Sequence, residues 1–505
     1  MRALKLISDD IIKCIVVIAS GGFGLKHSLL GPGLRAENAE RFVSRRWHRQ
    51  LFKSLLGAGL ILVSLSALPI PELAKNALAG PIADSVQTAI RTHPTVEAAR
   101  NLQRAAVHGL RLSRAGFFPT VDTRVAAGLA RPNSSGTRAR ATRAPGGPQS
   151  ITQDRYESSV TVTQLLYDAF GTRNSVLASQ FRVDVARFQL FDTGELIGLR
   201  AVVSYLEVLR NGQLVELAEA NAQKHEEVLG KIRTRADAGG GSQADVDQVY
   251  GRVALANSTF LAVLNAQLDA EAAYLEAVGE PPSGLSVPQT DAGLIDASAN
   301  EVVDSGVDSN PAVRVAQKNI KALNSDFRAT RSPFLPRVNI ELAGRRDENT
   351  GGVEGPNTDF TAKLVMTYNL YRGGGDAAQR RQTRALVAEA QQREYEIRRL
   401  VEQAIRVSYN AYQIARDRIP TLERHVASSK RALDAYYEQF NLGERSLLDV
   451  LNVENEVFGA RSNLVNGQFA VLTGYYRILT STGRLLQTLD LEVGISTADD
   501  EEDAM

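Results

Sequence analysis

From Phe360 to Tyr371 the chain alternates. Phe360, Ala362, Leu364, Met366, Tyr368 and Leu370 are apolar, and Thr361, Lys363, Val365, Thr367, Asn369 and Tyr371 between them are mostly polar. A period of two predicts a strand with one apolar and one polar face. A weaker copy runs in phase earlier, with Tyr156, Val160, Val162 and Leu166 set against Glu157, Ser159, Thr161 and Thr163. Two further strand-like runs start at Val121 and Val338. Elsewhere the period lengthens. Thr172 to Ala238 and Asp376 to Leu442 are each 67 positions without a helix breaker except Pro420, so each predicts a helix of roughly 100 Å. Tyr205, Leu206, Leu209, Leu214 and Leu217 have coiled-coil-like spacing, and the many alanines allow close approach. Shorter helical segments cover about 241–277 and 445–481, and helices of about 30 residues open each half. Stacked end to end, a short pair equals one long helix, which predicts a cylinder walled by long helices and stacked short ones. Pro420, opposite Glu216 in the other half, predicts a local bend.

The elements are written twice. An offset of 217 carries Pro94 to Pro311, Arg114 to Arg331, Phe117 to Phe334 and Pro119 to Pro336. An offset of 204 carries the turn AGGGSQADVDQ (238–248) onto LGERSLLDVLN (442–452), with Gly239 on Gly443, Ser242 on Ser446 and Asp245 on Asp449. Duplication is therefore the first-order fact. The difference between the offsets is extra loop: a Gly, Pro and Arg-rich stretch at 134–152 answers a shorter one at 350–357. Ten-residue alternating strands with an apolar face are the signature of a transmembrane β-barrel, yet the smallest such barrels have about eight strands. Four strands need partners from other copies, and three copies would give twelve.

Composition narrows the field. Ala, Leu, Val, Gln and Arg dominate the middle and favour helix. The formal net charge is +1, but residues 80–505 hold 47 Lys and Arg against 52 Asp and Glu, so no basic footprint for nucleic acid remains. Residues 1–79 read as a leader: Arg45, Arg46 and Arg49, an apolar run from Leu51 to Leu68, then Ala77-Leu78-Ala79 as a cleavage site. The single cysteine, Cys14, lies there, so the mature chain can form no disulfide or cysteine metal site. Six scattered histidines lack metal-ligand spacing, and Gly239-Gly240-Gly241-Ser242 follows a helix without the Lys of a phosphate loop. No catalytic residue, metal or cofactor is expected, and an enzyme is the least favoured class.

The openings His93-Pro94-Thr95-Val96 and Asn310-Pro311-Ala312-Val313, the motifs FFPT and FLPR, LLYDAFG and NLYRGGG, and the two turns together resemble the TolC family of outer-membrane export ducts. The resemblance spans about 84–490, and NLYRGG with the unlipidated leader is most similar to the branch serving type I protein secretion. It implies a mainly α fold with a β-barrel portion. In that fold a homotrimer completes a twelve-stranded barrel in outer-membrane lipid, continued by a long α-helical barrel across the periplasm. It implies a periplasmic adaptor and an inner-membrane ABC transporter or other pump as partners. The expected parts are a leader (1–79), a first repeat (80–290), a second repeat (291–490) and an acidic, disordered tail (491–505).

The turns are the candidate sites. Gly239, Ser242, Asp245, Gly443, Ser446 and Asp449 are expected at hairpin tips that dock the adaptor, and glycine caps and serine N-caps alone would also explain them. The resemblance implies a latch in which Arg445 reaches across to Asp245, with Phe440 where the family has an aromatic hydroxyl. Solvated charges are the plain alternative. It also implies a carboxylate ring at the narrowest point, with Asp449 at one position and Asn452 at the second. Helix capping is the plain alternative for Asp449. The favoured function is the outer-membrane channel of a tripartite export system, exporting proteins by type I secretion. A drug or metal efflux duct of the same fold is the alternative within transport, and a non-channel periplasmic coiled-coil scaffold the alternative from another class.

Overall fold

The computed structural model describes residues 80–494 apart from 134, 136, 140–151, 291–294, 296–297 and 351–353. The expected leader (1–79), residues 495–505 of the expected tail (491–505) and most of the loop 134–152 lie outside the described residues; of the tail, 491–494 are described, with Val493 buried.

Each half repeats one order. Helices α1 (Pro81–Thr92) and α2 (Pro94–Ala115) lead to β1 (Thr120–Ala130) and β2 (Gln153–Tyr167), then to α3 (Gly171–Asp237) and α4 (Gln243–Val278). In the second half, α5 (Ala299–Ser309) and α6 (Pro311–Ala329) lead to β3 (Arg337–Glu348) and β4 (Pro356–Thr367), then to α7 (Gly375–Asn441), α8 (Leu447–Ser481) and the short α9 (Leu485–Thr488). The H/N-P pairs are helix starts. The Asn310 side chain accepts from Ala312 N–H at 2.9 Å and His93 Nδ1 accepts from Thr95 N–H at 3.2 Å, each with proline at the first helical position, where no N–H is missed. Both long helices have 67 residues and keep the 204 offset, one position earlier than the pattern predicted. Helix α7 runs through Pro420 as one element, with the proline exposed.

The four strands form one antiparallel sheet in the order β1-β2-β3-β4. Its register sorts the side chains. Val121 pairs with Val162, Val162 with Leu342 and Leu342 with Ala362; Ile340 pairs with Leu364 and Val338 with Met366. The opposite face carries Asp122, Arg124, Glu157, Ser159, Thr161, Glu341, Arg345, Asp359 and Lys363, with Glu341 directly across from Lys363. Toward the helices one face is thus apolar across all four strands and the other mostly polar, while Arg346 and Glu348 stand on the apolar side at the loop end. The apolar face is bare: Val125 is 76% exposed and Phe360 78%. Tyr368 and Leu370 continue the alternation in sequence but lie beyond the ladder, because β3 begins at Arg337, opposite Thr367.

The helices pack as a row. Near the sheet the order is α2, α3, α6, α7, and toward the turns it is α4, α3, α8, α7. Helix α7 forms one edge throughout, and α2 followed by α4 forms the other. The main apolar core sits midway along the long helices, where α1 and α9 pack on α3 and α5 packs on α7, and includes Val86, Leu190, Tyr205, Leu206, Ile295, Ile405, Leu485 and Val493. Gly194 and Gly198 admit α9 and the chain after it: a methyl at Gly194 would stand 2.7 Å from Val493. Between them, the buried Glu195 accepts from the N–H groups of Leu485 at 3.2 Å and Leu486 at 3.1 Å, tying α9 to α3. A second apolar cluster lies at the far end, next to the turns.

Candidate functional site

Each turn is built by backbone chemistry first. Gly239 and Gly443 hold φ of +76° and +79°, which glycine adopts without a Cβ penalty. Their N–H groups bond back to Ala236 and Phe440, while Gly240 and Glu444 bond back to Arg235 and Gln439, completing the same helix stop twice. Two residues later a serine restarts the helix. Asp245 N–H donates to Ser242 Oγ at 3.3 Å and Ser242 N–H to Asp245 Oδ2 at 3.4 Å. Asp449 N–H donates to Ser446 Oγ at 3.2 Å and Ser446 N–H to Asp449 Oδ2 at 3.3 Å. These reciprocal caps satisfy N–H groups that a helix start leaves bare, each cap worth about 1 kcal/mol. Valines at 246, 249 and 253 and Leu447, Val450 and Leu451 then pack with Val228, Leu229 and Ile232, so each turn stands on a shared apolar base.

The turns differ in their charges. At the first, Arg235 Nε donates to the carbonyl of Gly240 at 3.0 Å. At the second, Gln439 occupies the equivalent position and receives Arg445 Nε at 2.7 Å, and the guanidinium lies 3.9 Å above the ring of Tyr436. Within one chain the three latch residues are engaged separately: Arg445 on Tyr436 and Gln439, Asp245 in its cap, and Phe440 half-buried against the apolar base. Asn452 is not idle either. It accepts from Arg252 Nη2 at 3.0 Å, so a bond joins the first hairpin to the second one turn behind the tip. Arg252, Tyr436 and Gln439 were not singled out from sequence; 200 residues separate Arg252 from Asn452, and nothing local marks the pair.

Behind the tips lies a polar layer. His225 is buried, its Nδ1–H donating to the Asn221 carbonyl at 2.9 Å, and burial lowers its pKa below the usual histidine value. At its repeat-equivalent position Ser429 donates to Glu456 at 3.0 Å. Nearby, burial pushes the Glu454 carboxyl up, with Lys224 opposing the shift.

Two hairpins ending in matched turns, beneath a sheet with one apolar and one polar face, are the parts of an outer-membrane duct. The family model for the outer membrane efflux protein matches residues 85–280 and 303–484, one match in each repeat. The chain belongs to this family. Members are outer-membrane channels rather than enzymes. The chain is 27% identical over 331 residues to the outer membrane efflux protein BepC of Brucella suis, covering 65% of the chain and 72% of the relative. It is 24% identical over 465 residues to the alkaline protease secretion protein AprF of Pseudomonas aeruginosa, covering 88% and 91%. The solved CmeC outer membrane channel of Campylobacter jejuni superposes with a TM-score of 0.70 at 12% identity, covering 89% of this chain and 97% of that one. The fold is that of the TolC-like channels, and the chain sits in the outer membrane and extends into the periplasm.

Proposed function

We propose that three copies assemble head to tail into a twelve-stranded barrel over a tunnel of helices, and that this duct is the outer-membrane exit of a tripartite system exporting proteins. The sheet carries the proposal. Its apolar face suits lipid and its polar face a water-filled lumen, but β1 and β4 leave backbone N–H and C=O groups unpaired at both edges. Hydrocarbon does not tolerate such edges, so the sheet must close on further copies. The helix row has matching edges. Leu261, Leu268 and Leu275 of α4 and Leu400, Val407 and Ile414 of α7 are exposed at seven-residue spacing, the pattern of an unfilled coiled-coil seam. The edge bearing α4 also bears β1, and the edge bearing α7 bears β4, so one rotation satisfies both. In the assembly Arg445 would reach Asp245 of the next copy, Asp449 of each copy would ring the mouth, and the tips would meet a periplasmic adaptor fed by an inner-membrane pump.

Protein cargo is supported by the likeness to the alkaline protease secretion protein along nearly the whole chain. Small-molecule efflux is the second reading, supported by the Brucella relative named for efflux. A deletion strain separates them. Loss of one or a few secreted proteins with unchanged drug susceptibility is the expected result; the reverse would replace protein export by efflux.

A further inference from the structure

We infer that the junction between sheet and helices is a binding collar for anionic phospholipid headgroups of the inner leaflet, held chiefly by Arg114, Arg173 and Arg331. This rests on placing the apolar face of the sheet in lipid. The chain crosses from strand to helix, or back, four times, and each crossing sets an arginine within one helical turn of an exposed aromatic: Arg114 before Phe117 and Phe118, Arg173 after Phe170, Arg331 before Phe334, and Arg372 after Tyr371. Exposed aromatics at the end of an apolar band mark the membrane–water interface, so they place these arginines at headgroup depth.

Charge is concentrated at that level. Residues 110–119, 166–176, 325–337 and 368–385 contain ten arginines and three aspartates, while residues 80–505 as a whole hold 47 Lys and Arg against 52 Asp and Glu. The surplus is therefore local, set into a chain that is otherwise acidic. The aspartates are already used: Asp168 accepts from Thr172, Asp326 pairs with Arg182, and Asp376 pairs with Arg372. Arg380 lies 4.4 Å over the ring of Phe327. By contrast, the exposed side chains of Arg114, on the edge helix α2, and of Arg173 and Arg331, away from either edge, make no ion pair or hydrogen bond within the chain among the described residues. Arg337 belongs to the polar face of the sheet and is not part of the collar. A row of unpaired guanidinium groups beside an interfacial aromatic belt fits lipid phosphate, which a guanidinium grips with two N–H donors. Their position next to large exposed aromatics argues against the lumen, where such rings would face water.

Native mass spectrometry of the full-length assembly in detergent tests this, with added phosphatidylglycerol, phosphatidylethanolamine or inorganic phosphate as probes. The natural chain is expected to retain phosphatidylglycerol over phosphatidylethanolamine and to take up little free phosphate. Arg114→Gln with Arg173→Gln and Arg331→Gln should lower retention by about fivefold per arginine removed, and the matching Lys variants should keep most of it. Equal retention by the Gln triple variant overturns the inference, as does a preference for free phosphate or for phosphatidylethanolamine. Conductance of the Gln variant in planar bilayers is the control: an open channel with undiminished lipid retention defeats the collar while leaving the duct intact, and absence of conductance from the natural chain defeats the duct.

Discussion

Glu195 shows how much one buried carboxyl can hold. Burial pushes its pKa up from 4.5 to about 7, against the pull of the two N–H groups it accepts, with Asp192 adding a smaller push upward. A folded-state value above the unfolded one means the folded chain binds the proton more tightly. The contribution to stability is therefore greatest below about pH 4.5, declines as pH rises to about 7, and is flat above, a change on the order of 3 kcal/mol. Hydrogen exchange of the segment around α9 should show this decline once intrinsic rates are removed, and Glu195→Gln should abolish it. At the tip, Arg445 is the residue to change. Its hold on Tyr436 and Gln439 keeps the guanidinium at the turn. Arg445→Ser should raise single-channel conductance in planar bilayers; unchanged conductance would mean the arginine serves only its own hairpin.

At the scale of elements, repetition was the most legible signal. The 204 offset located both long helices to within one residue, because a fixed offset between turns also fixes what lies between them. Helix caps were legible for the same reason that they are stable: serine, three residues before an acid, is local chemistry. The strand end was read too late, since Tyr368 and Leu370 keep the alternation after β3 has run out as a partner. Contacts between repeats were hidden. Arg252 and its repeat-equivalent Glu456 differ in sign, as do Glu195 and Arg399, and such sign changes at matched positions are the trace that could have drawn attention to them. The bond from Arg252 to Asn452 joins the two hairpins close to the turns and is worth about 1 kcal/mol, while Arg210 Nη1 donates to Asn466 Oδ1 at 3.0 Å farther from them. Arg252→Ala should loosen the hairpins and raise conductance even with Arg445 intact, and a double variant with Arg445→Ser should exceed either alone if the two act at separate contacts.

For the whole molecule the decisive quantity is edge matching. Counting back from the turns at 1.5 Å per residue sets Leu268 of α4 level with Ile414 of α7. Cysteines at these two positions should crosslink neighbouring copies on oxidation into covalent species up to a closed ring. Cys14 is the natural sequence's single cysteine, and Cys14→Ser leaves the two introduced cysteines as the only thiols. A ladder stopping at three supports the trimer; monomer alone under oxidation would count against this seam.

The equal length of α3 and α7 carries a consequence for how such a duct could change its reach. A seven-residue insertion in α3 alone would drop the first tip by about 10 Å relative to the second, pulling Arg252 away from Asn452 and misaligning every exposed leucine on the seam. To span a wider gap, the chain would have to lengthen α3, α4, α7 and α8 together, each by a whole heptad. The reach of the hairpins below the sheet is thus written into the sequence four times over, and any one helix that drifts in length is held back by the other three.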